Sequence, residues 1–409
     1  MKSNPRHWGV VAILFATFGT VMLDRMSQLF LGPYLVEAMH LTQAQIGLLA
    51  SAVGVCWAVS SVVFGAVSDR VGRRAVLIPA VLVFSACSWL SGLASNFGQL
   101  LAIRALLGIA EGPCYCVIMA LAEEYARGDE RGKTVGIVNS AGALVGSAIA
   151  PVFTTQVASA FGWRWGFFAA GIPGLVLAVL IWAFVHEPNR EARKSEPRLT
   201  LGEYRQLVRN PNLWCCLIAN FGLATYIFAF SVFSPLYITG QMGQAPTVAG
   251  FLLGASGLGG FLWSFFGTGM SDRIGRRKTV LFAATLCCVQ PLLFMFAPLY
   301  QVPWALAGLA MMTMAAPAAA ALMMVLIPVE SVPARFAAAA IGFAGLGTDF
   351  LGATVSPAIG GGLAERFGLA APMFLSMGGA VLLFVMALLL RRPAQARKLP
   401  QASEGVLEG

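Results

Sequence analysis

Runs of about 20 apolar residues follow one another along almost the whole chain, divided only by short polar loops, and that pattern leaves few folds open. A helix of about 20 residues crosses roughly 30 Å of hydrocarbon, and in lipid each backbone polar group must be satisfied within the spanning element. Twelve runs are expected, at about 9–36, 45–67, 75–95, 98–122, 134–158, 164–185, 212–238, 247–270, 279–298, 302–327, 337–362 and 370–390. Composition agrees: 58% of the 409 residues are hydrophobic and only 11% charged, too apolar for a water-soluble core of ordinary proportions. The first run follows only Met1 to His7 and has no small-residue cleavage site, so it is expected to remain as a helix. The reading is therefore an all-α, multi-pass protein of the inner membrane, with no soluble catalytic domain.

A net charge of +9 raises the question of nucleic acid, and the placement of the basic residues answers it. With odd-numbered helices running outward, 23 of the 27 Lys and Arg fall on one side, including Lys2, Arg6, Arg127 to Lys133, Arg190 to Arg209, Arg335 and Arg391 to Lys398. The other side holds only Arg164 and Arg366, while Arg25 and Arg104 lie inside apolar runs. The positive-inside rule then puts both termini in the cytoplasm, and the basic balance reports orientation rather than nucleic-acid binding. The eight Cys lie in or beside apolar runs and read as small hydrophobes.

One short basic loop occurs twice, as Asp69-Arg70-Val71-Gly72-Arg73-Arg74 and as Asp272-Arg273-Ile274-Gly275-Arg276-Arg277, its Asp residues 203 positions apart. Each copy follows the second run of its half, so half the chain has been duplicated. Parallel six-helix halves with this loop resemble the major facilitator superfamily, and the resemblance implies a substrate site between the halves at mid-membrane. The expected division is a first bundle over 1–186, a cytoplasmic linker over 187–211, a second bundle over 212–392 and a disordered tail over 393–409. The loop makes physical sense as a latch: a carboxylate at a helix end pairs with an Arg or a neighbouring helix dipole only when that side is closed. Gly65, Asp69, Arg70 and Arg73, with Asp272, Arg273 and Arg276, are the gating candidates, Gly65 by letting neighbouring helices approach closely. The second copy has Thr268 where the first has Gly65.

Ionisable residues at membrane depth cost at least about 2.5–3.5 kcal/mol each, which makes them functional candidates. Asp24 and Arg25 lie inside the first run and Arg104 and Glu111 in the fourth, where seven residues place the latter two on one helix face about 10 Å apart. They could simply be ion pairs pinning two helices together. Buried pairs stabilise poorly, however, so their retention in an apolar bundle points to work on a charged substrate or a proton. An Arg keeps its proton and offers a fork to a carboxylate, whereas a desolvated Asp or Glu can load and unload one.

Asp24-Arg25 in helix one with Arg104 through Glu111-Gly112-Pro113 in helix four resembles the anion:cation symporter branch of that superfamily, with Glu130-Arg131 and Gly162-Trp163-Arg164-Trp165 adding to the likeness. The spinster-like transporters share several of these features and stand second. The resemblance implies that Arg25 contacts a substrate carboxylate, that Asp24 and Glu111 carry the coupled proton, and that Arg104 is their salt-bridge partner. This chain has Leu23 where the branch usually has Tyr, and Asp349 where it commonly shows Asn in helix eleven. Asp349 sits in a Gly-rich helix and is a third coupling candidate, one that could favour a zwitterionic or less acidic ligand. Arg25, Arg104, Asn139, Asn220 and Tyr226 are the substrate-binding candidates, and Ser140, Gln290 and Thr348 are lesser ones. Trp57, Trp89, Trp163, Trp182 and the phenylalanines of 228–233 read as packing or interface anchors. The expected activity is proton-coupled uptake of a small organic anion by a monomer without metal or cofactor. The rivals are a proton-driven exporter of drugs or lipid-like amphipaths and a transporter-like sensor. The three His lie at helix ends or in loops and no phosphate-cradling Gly-Lys-Ser/Thr loop is present, so an enzyme or an ATP-driven pump has no residues to support it.

Overall fold

A computed structural model describes residues 5–126, 131–186, 208–333 and 336–390. The expected linker (its residues 187–207), Glu130, Arg335 and the tail lie outside the described residues. Among the described residues, twelve helices are long and apolar enough to span a membrane: α1 Trp8–Phe30, α2 Gln43–Val71, α3 Arg73–Leu93, α4 Phe97–Tyr125, α5 Gly132–Phe161, α6 Trp163–Phe184, α7 Pro211–Gln241, α8 Pro246–Ile274, α9 Arg276–Met295, α10 Pro303–Glu330, α11 Ala339–Phe367 and α12 Ala370–Leu389. Two runs differ from expectation. The first stops at Phe30, because Gly32-Pro33 starts a separate short helix, Gly32–Met39. The tenth is interrupted at Met314 and Ala315, where Pro317 removes the backbone donor that would have continued it.

The helix ends follow from the sequence. Thr42 and Gln45 form a reciprocal capping box at the start of α2, and the Asn96 side chain accepts from the Gln99 N–H at the start of α4. The repeated loop owes its glycine to geometry: the chain turns from α2 to α3 at Gly72 with φ +120° and from α8 to α9 at Gly275 with φ +95°. Alanine at either place is expected to lower stability by about 1–2 kcal/mol, read as a drop in the melting temperature of the purified carrier. The last Arg of each copy also repeats its task. Arg74 donates to the Trp182 carbonyl near the end of α6, and Arg277 donates to the Leu388 carbonyl near the end of α12, each satisfying a C-terminal carbonyl.

The first six helices enclose a core around Leu14, Leu77, Phe84, Leu107 and Ile118, and the last six a core around Cys216, Ala283, Cys287, Leu322 and Leu383. Between the bundles, α2 packs along α11 and α8 along α5. Small residues make both seams close at the end of the molecule away from the repeated loops. Gly47 and Gly54 lie against the Pro357 and Ala353 carbonyls, and Gly250, Gly254 and Gly257 against the backbone of Pro151, Ala148 and Ser147. There the Glu365 carboxylate of α11 also accepts from the Ala44 N–H in the first turn of α2, at 3.4 Å. The other end, which carries the repeated loops, holds a cavity of about 860 Å³ between α5, α8 and α10, reaching inward to Phe18 and Tyr115.

Candidate substrate and coupling site

Three of the four expected charges share one sealed compartment. Asp24, Arg104 and Glu111 are each 0% exposed, enclosed among α1, α3, α4 and α6. Ser88 of α3 donates to Asp24 Oδ1 and lies 2.8 Å from the Phe167 carbonyl of α6. The Glu111 carboxyl shares this compartment with Asp24, and Asp24 Oδ2 and both Glu111 oxygens have no hydrogen-bond partner. Two carboxyls sealed away from water with unpartnered oxygens are a place where a proton can be loaded. The Arg104 guanidinium lies over the Phe167 ring, 4.4 Å from its centroid, and none of its nitrogens has a hydrogen-bond partner. The salt bridge expected of Arg104 is therefore not formed: it acts on the two carboxyls through space, across a gap wider than a contact.

Arg25, the next residue after Asp24, is turned about 100° round the helix and lies outside that compartment. It is half-buried, and its guanidinium lies between the bundles, 4.1 Å from the Trp57 ring of α2 and 5.8 Å from the Phe228 ring of α7. Two aromatic faces hold the cation in place while its edges stay open for a partner. Through space it acts on two carboxylates, Glu111 on its own side and Asp349 across the seam. Asp349 lies in a π-helical stretch of α11, Gly347–Gly352, where Gly347 and Gly352 lie close against α7. Phe18, Tyr115 and Trp57 form a chain of rings, with centroids 5.5 and 6.5 Å apart, that leads from the open cavity up to Arg25.

The sequence matches the family description Major Facilitator Superfamily over residues 13–350 and again over 240–407. The chain belongs to the major facilitator superfamily. Among curated members it is 30% identical over 298 residues to a hexuronate transporter of Bacillus subtilis, a match covering 68% of each chain. It is also 30% identical over 290 residues to a probable 4-methylmuconolactone transporter of Cupriavidus pinatubonensis, covering 68% of this chain and 66% of that one. In structure it resembles a bacterial homologue of the lysosomal transporter Spinster, inward-facing and unoccupied, with a TM-score of 0.74 at 18% identity over 94% of this chain and 96% of that one. This major facilitator is thus a multi-pass membrane transporter, not an enzyme.

The other expected site residues separate into two groups. Asn139 is exposed in the open cavity, beside Ser140. Three expected substrate contacts are instead internal. Arg104 is sealed in the first bundle, as described. Tyr226 is fully buried in the second, donating to Gln290, whose amide donates in turn to Ser256 at 2.5 Å. Asn220, 1% exposed, donates to the Met323 and Ala344 carbonyls at 3.2 Å and so ties α7 to α10 and α11. Sequence periodicity finds a polar residue in a membrane helix, but a neighbouring backbone carbonyl satisfies it as well as a ligand does.

The gating loops are intact but look inward to their own bundles. Arg73 pairs with Glu124 at 2.9 Å and approaches Asp69 at 4.0 Å, and Arg276 pairs with Glu330 at 3.1 Å and with Asp272. Arg70 and Arg273 are exposed. Glu124 and Glu330 were missed, although a carboxylate ending the fourth helix of each half is visible once the halves are aligned. Gly65 does not mediate the close approach expected of it here, since nothing lies within 4 Å of the space its Cβ would take. That end of the seam is open.

Proposed function

We propose that this chain carries a small organic anion across the membrane together with protons, by alternating access of the site between its two bundles. Arg25 is the anion clamp, Asp24 and Glu111 are the proton carriers, and the open end is the cytoplasmic one, where both termini lie. The observation that carries this reading is the division of labour between adjacent residues of helix α1. Arg25 faces the space between the bundles while Asp24 lies in the sealed compartment with Glu111, and Arg25 is also a counter-charge of Glu111. A ligand carboxylate that neutralises Arg25 withdraws that counter-charge, and a proton on one of the carboxyls is its natural replacement. Anion and proton then load together. Names of relatives such as the hexuronate transporter and the D-galactonate transporter of Escherichia coli fit an anionic cargo.

The latch belongs to the same cycle. When the loop end closes, Asp69, whose side chain is 61% exposed here, comes within reach of the first turn of α11, while Glu365 gives up the first turn of α2. Asp272, Arg273, Arg276 and Gly65 take part in that closure.

Purified protein in liposomes with an imposed pH gradient is the test. The parent is expected to accumulate an anionic ligand against its gradient when the loading side is acidic. Glu111→Gln fixes one carboxyl in a neutral form and is expected to abolish accumulation while leaving counterflow exchange. Accumulation by Glu111→Gln at the parental level would sink the coupling assignment.

A further inference from the structure

The walls around Arg25 restrict the cargo more narrowly than its charge does. The guanidinium sits among rings, with Trp57 and Phe228 flanking it and Phe18 and Tyr115 completing the approach from the cavity. Apart from the phenol of Tyr115, the hydroxyls lining that approach have already spent their protons. Ser140 donates to the Ile137 carbonyl at 2.7 Å, Ser264 to the Phe261 carbonyl at 2.6 Å and Thr268 to the Phe265 carbonyl at 2.9 Å. Asn139 is the cavity amide left to serve a ligand hydroxyl. A sugar acid brings four or more hydroxyls, and each one desolvated without a partner weakens binding about 5-fold or more.

Charge sets a second limit. Asp349 acts on Arg25 from across the seam without lying within 4.0 Å of it, so an anion seated on Arg25 enters the field of that carboxylate. One negative charge is tolerated because Arg25 offsets it. Lys133, exposed on the cavity wall in the first turns of α5, is the other cation there; a second carboxylate held close to Arg25 on the same small ligand repels Asp349.

We infer that this transporter takes a monocarboxylate whose body is an aromatic or unsaturated ring, with the ring lodged among Trp57, Tyr115 and Phe228, and that Asp349 excludes dicarboxylates. This rests on the proposed function in one respect, the anion clamp at Arg25. Stacking on the rings supplies what hydroxyl contacts cannot, and its geometry suits flat ligands.

The test is equilibrium binding to the full-length carrier in nanodiscs, with benzoate, phthalate, D-gluconate and D-glucarate as probes at one pH. Benzoate is expected to bind at least about 10-fold more tightly than D-gluconate, and phthalate more weakly than benzoate by a similar factor. Asp349→Asn is expected to raise the phthalate-to-benzoate affinity ratio about 10-fold. A gluconate affinity equal to or above that of benzoate overturns the ring-body assignment, whatever the variant does. A ratio unmoved in folded Asp349→Asn overturns the role of Asp349. Should none of the four probes bind, or should Arg25→Ala bind them all as the parent does, the anion clamp itself fails and this inference falls with it.

Discussion

Arg25→Ala is expected to weaken binding of an anionic ligand by about 100- to 1,000-fold, the largest loss of any single side chain in the site. Each charge-assisted hydrogen bond is worth about 1.5–3 kcal/mol, and a guanidinium makes two to one carboxylate. Competition with water and the half-open setting trim the sum to about 3–4 kcal/mol, which is that range of affinity. A second loss adds to the first, because Asp349 and Glu111 then face the ligand with their shared counter-charge gone. Arg25→Lys separates the two contributions. It keeps the charge but not the fork, and a compact ammonium does not lie flat on Trp57 as a guanidinium does. It is expected to recover part of the affinity, about 10-fold below the parent. Isothermal titration on purified protein measures all three, and parental affinity in Arg25→Ala would remove the clamp from the mechanism.

Much of the fold was legible because a bilayer imposes a length and a polarity on every spanning element. The repeated loop gave the duplication, and its Gly72 and Gly275 are required by the backbone angles they adopt. The site was legible only in part. Asp24, Arg25, Arg104 and Glu111 could be found because a charge in hydrocarbon is rare. Which way each faces could not, since adjacent residues 24 and 25 point about 100° apart and only packing decides which one meets the cavity. Trp57, Phe228 and Phe167 carried no signal, as an aromatic in a membrane helix is ordinary until a guanidinium is found on its face. Asn220 and Tyr226 were overread for the opposite reason: their partners are a backbone carbonyl pair and a glutamine on distant helices. The seam glycines Gly250, Gly254 and Gly257 were not singled out from the sequence: residues three and four apart share a face, but only packing shows what that face meets.

That seam gives the second large effect. Gly257 leaves no room for a Cβ beside the Ser147 carbonyl, a backbone contact between α8 of one bundle and α5 of the other. Rotamer changes cannot relieve an overlap with backbone, so Gly257→Val forces the bundles apart at the closed end. The bundles keep their own cores, because this contact lies between them rather than within either. Such an overlap exceeds the few kcal/mol that separate two states of a carrier. A differential penalty of about 5.5 kcal/mol is enough to turn 99:1 into 1:99. The variant is therefore expected to be folded, inactive in transport and held with its loop end closed. Asn139→Cys reports this directly, since the side chain is exposed in the cavity of the present conformer. With Gly257→Val added, its maleimide labelling from the loop end is expected to slow about 100-fold. Gly108→Val is the control: Gly108 packs on the Val53 carbonyl within the first bundle, so its substitution should lower melting temperature and yield without changing which end is open. Parental labelling of a well-folded Gly257→Val protein would mean that the α5 and α8 seam does not close the site.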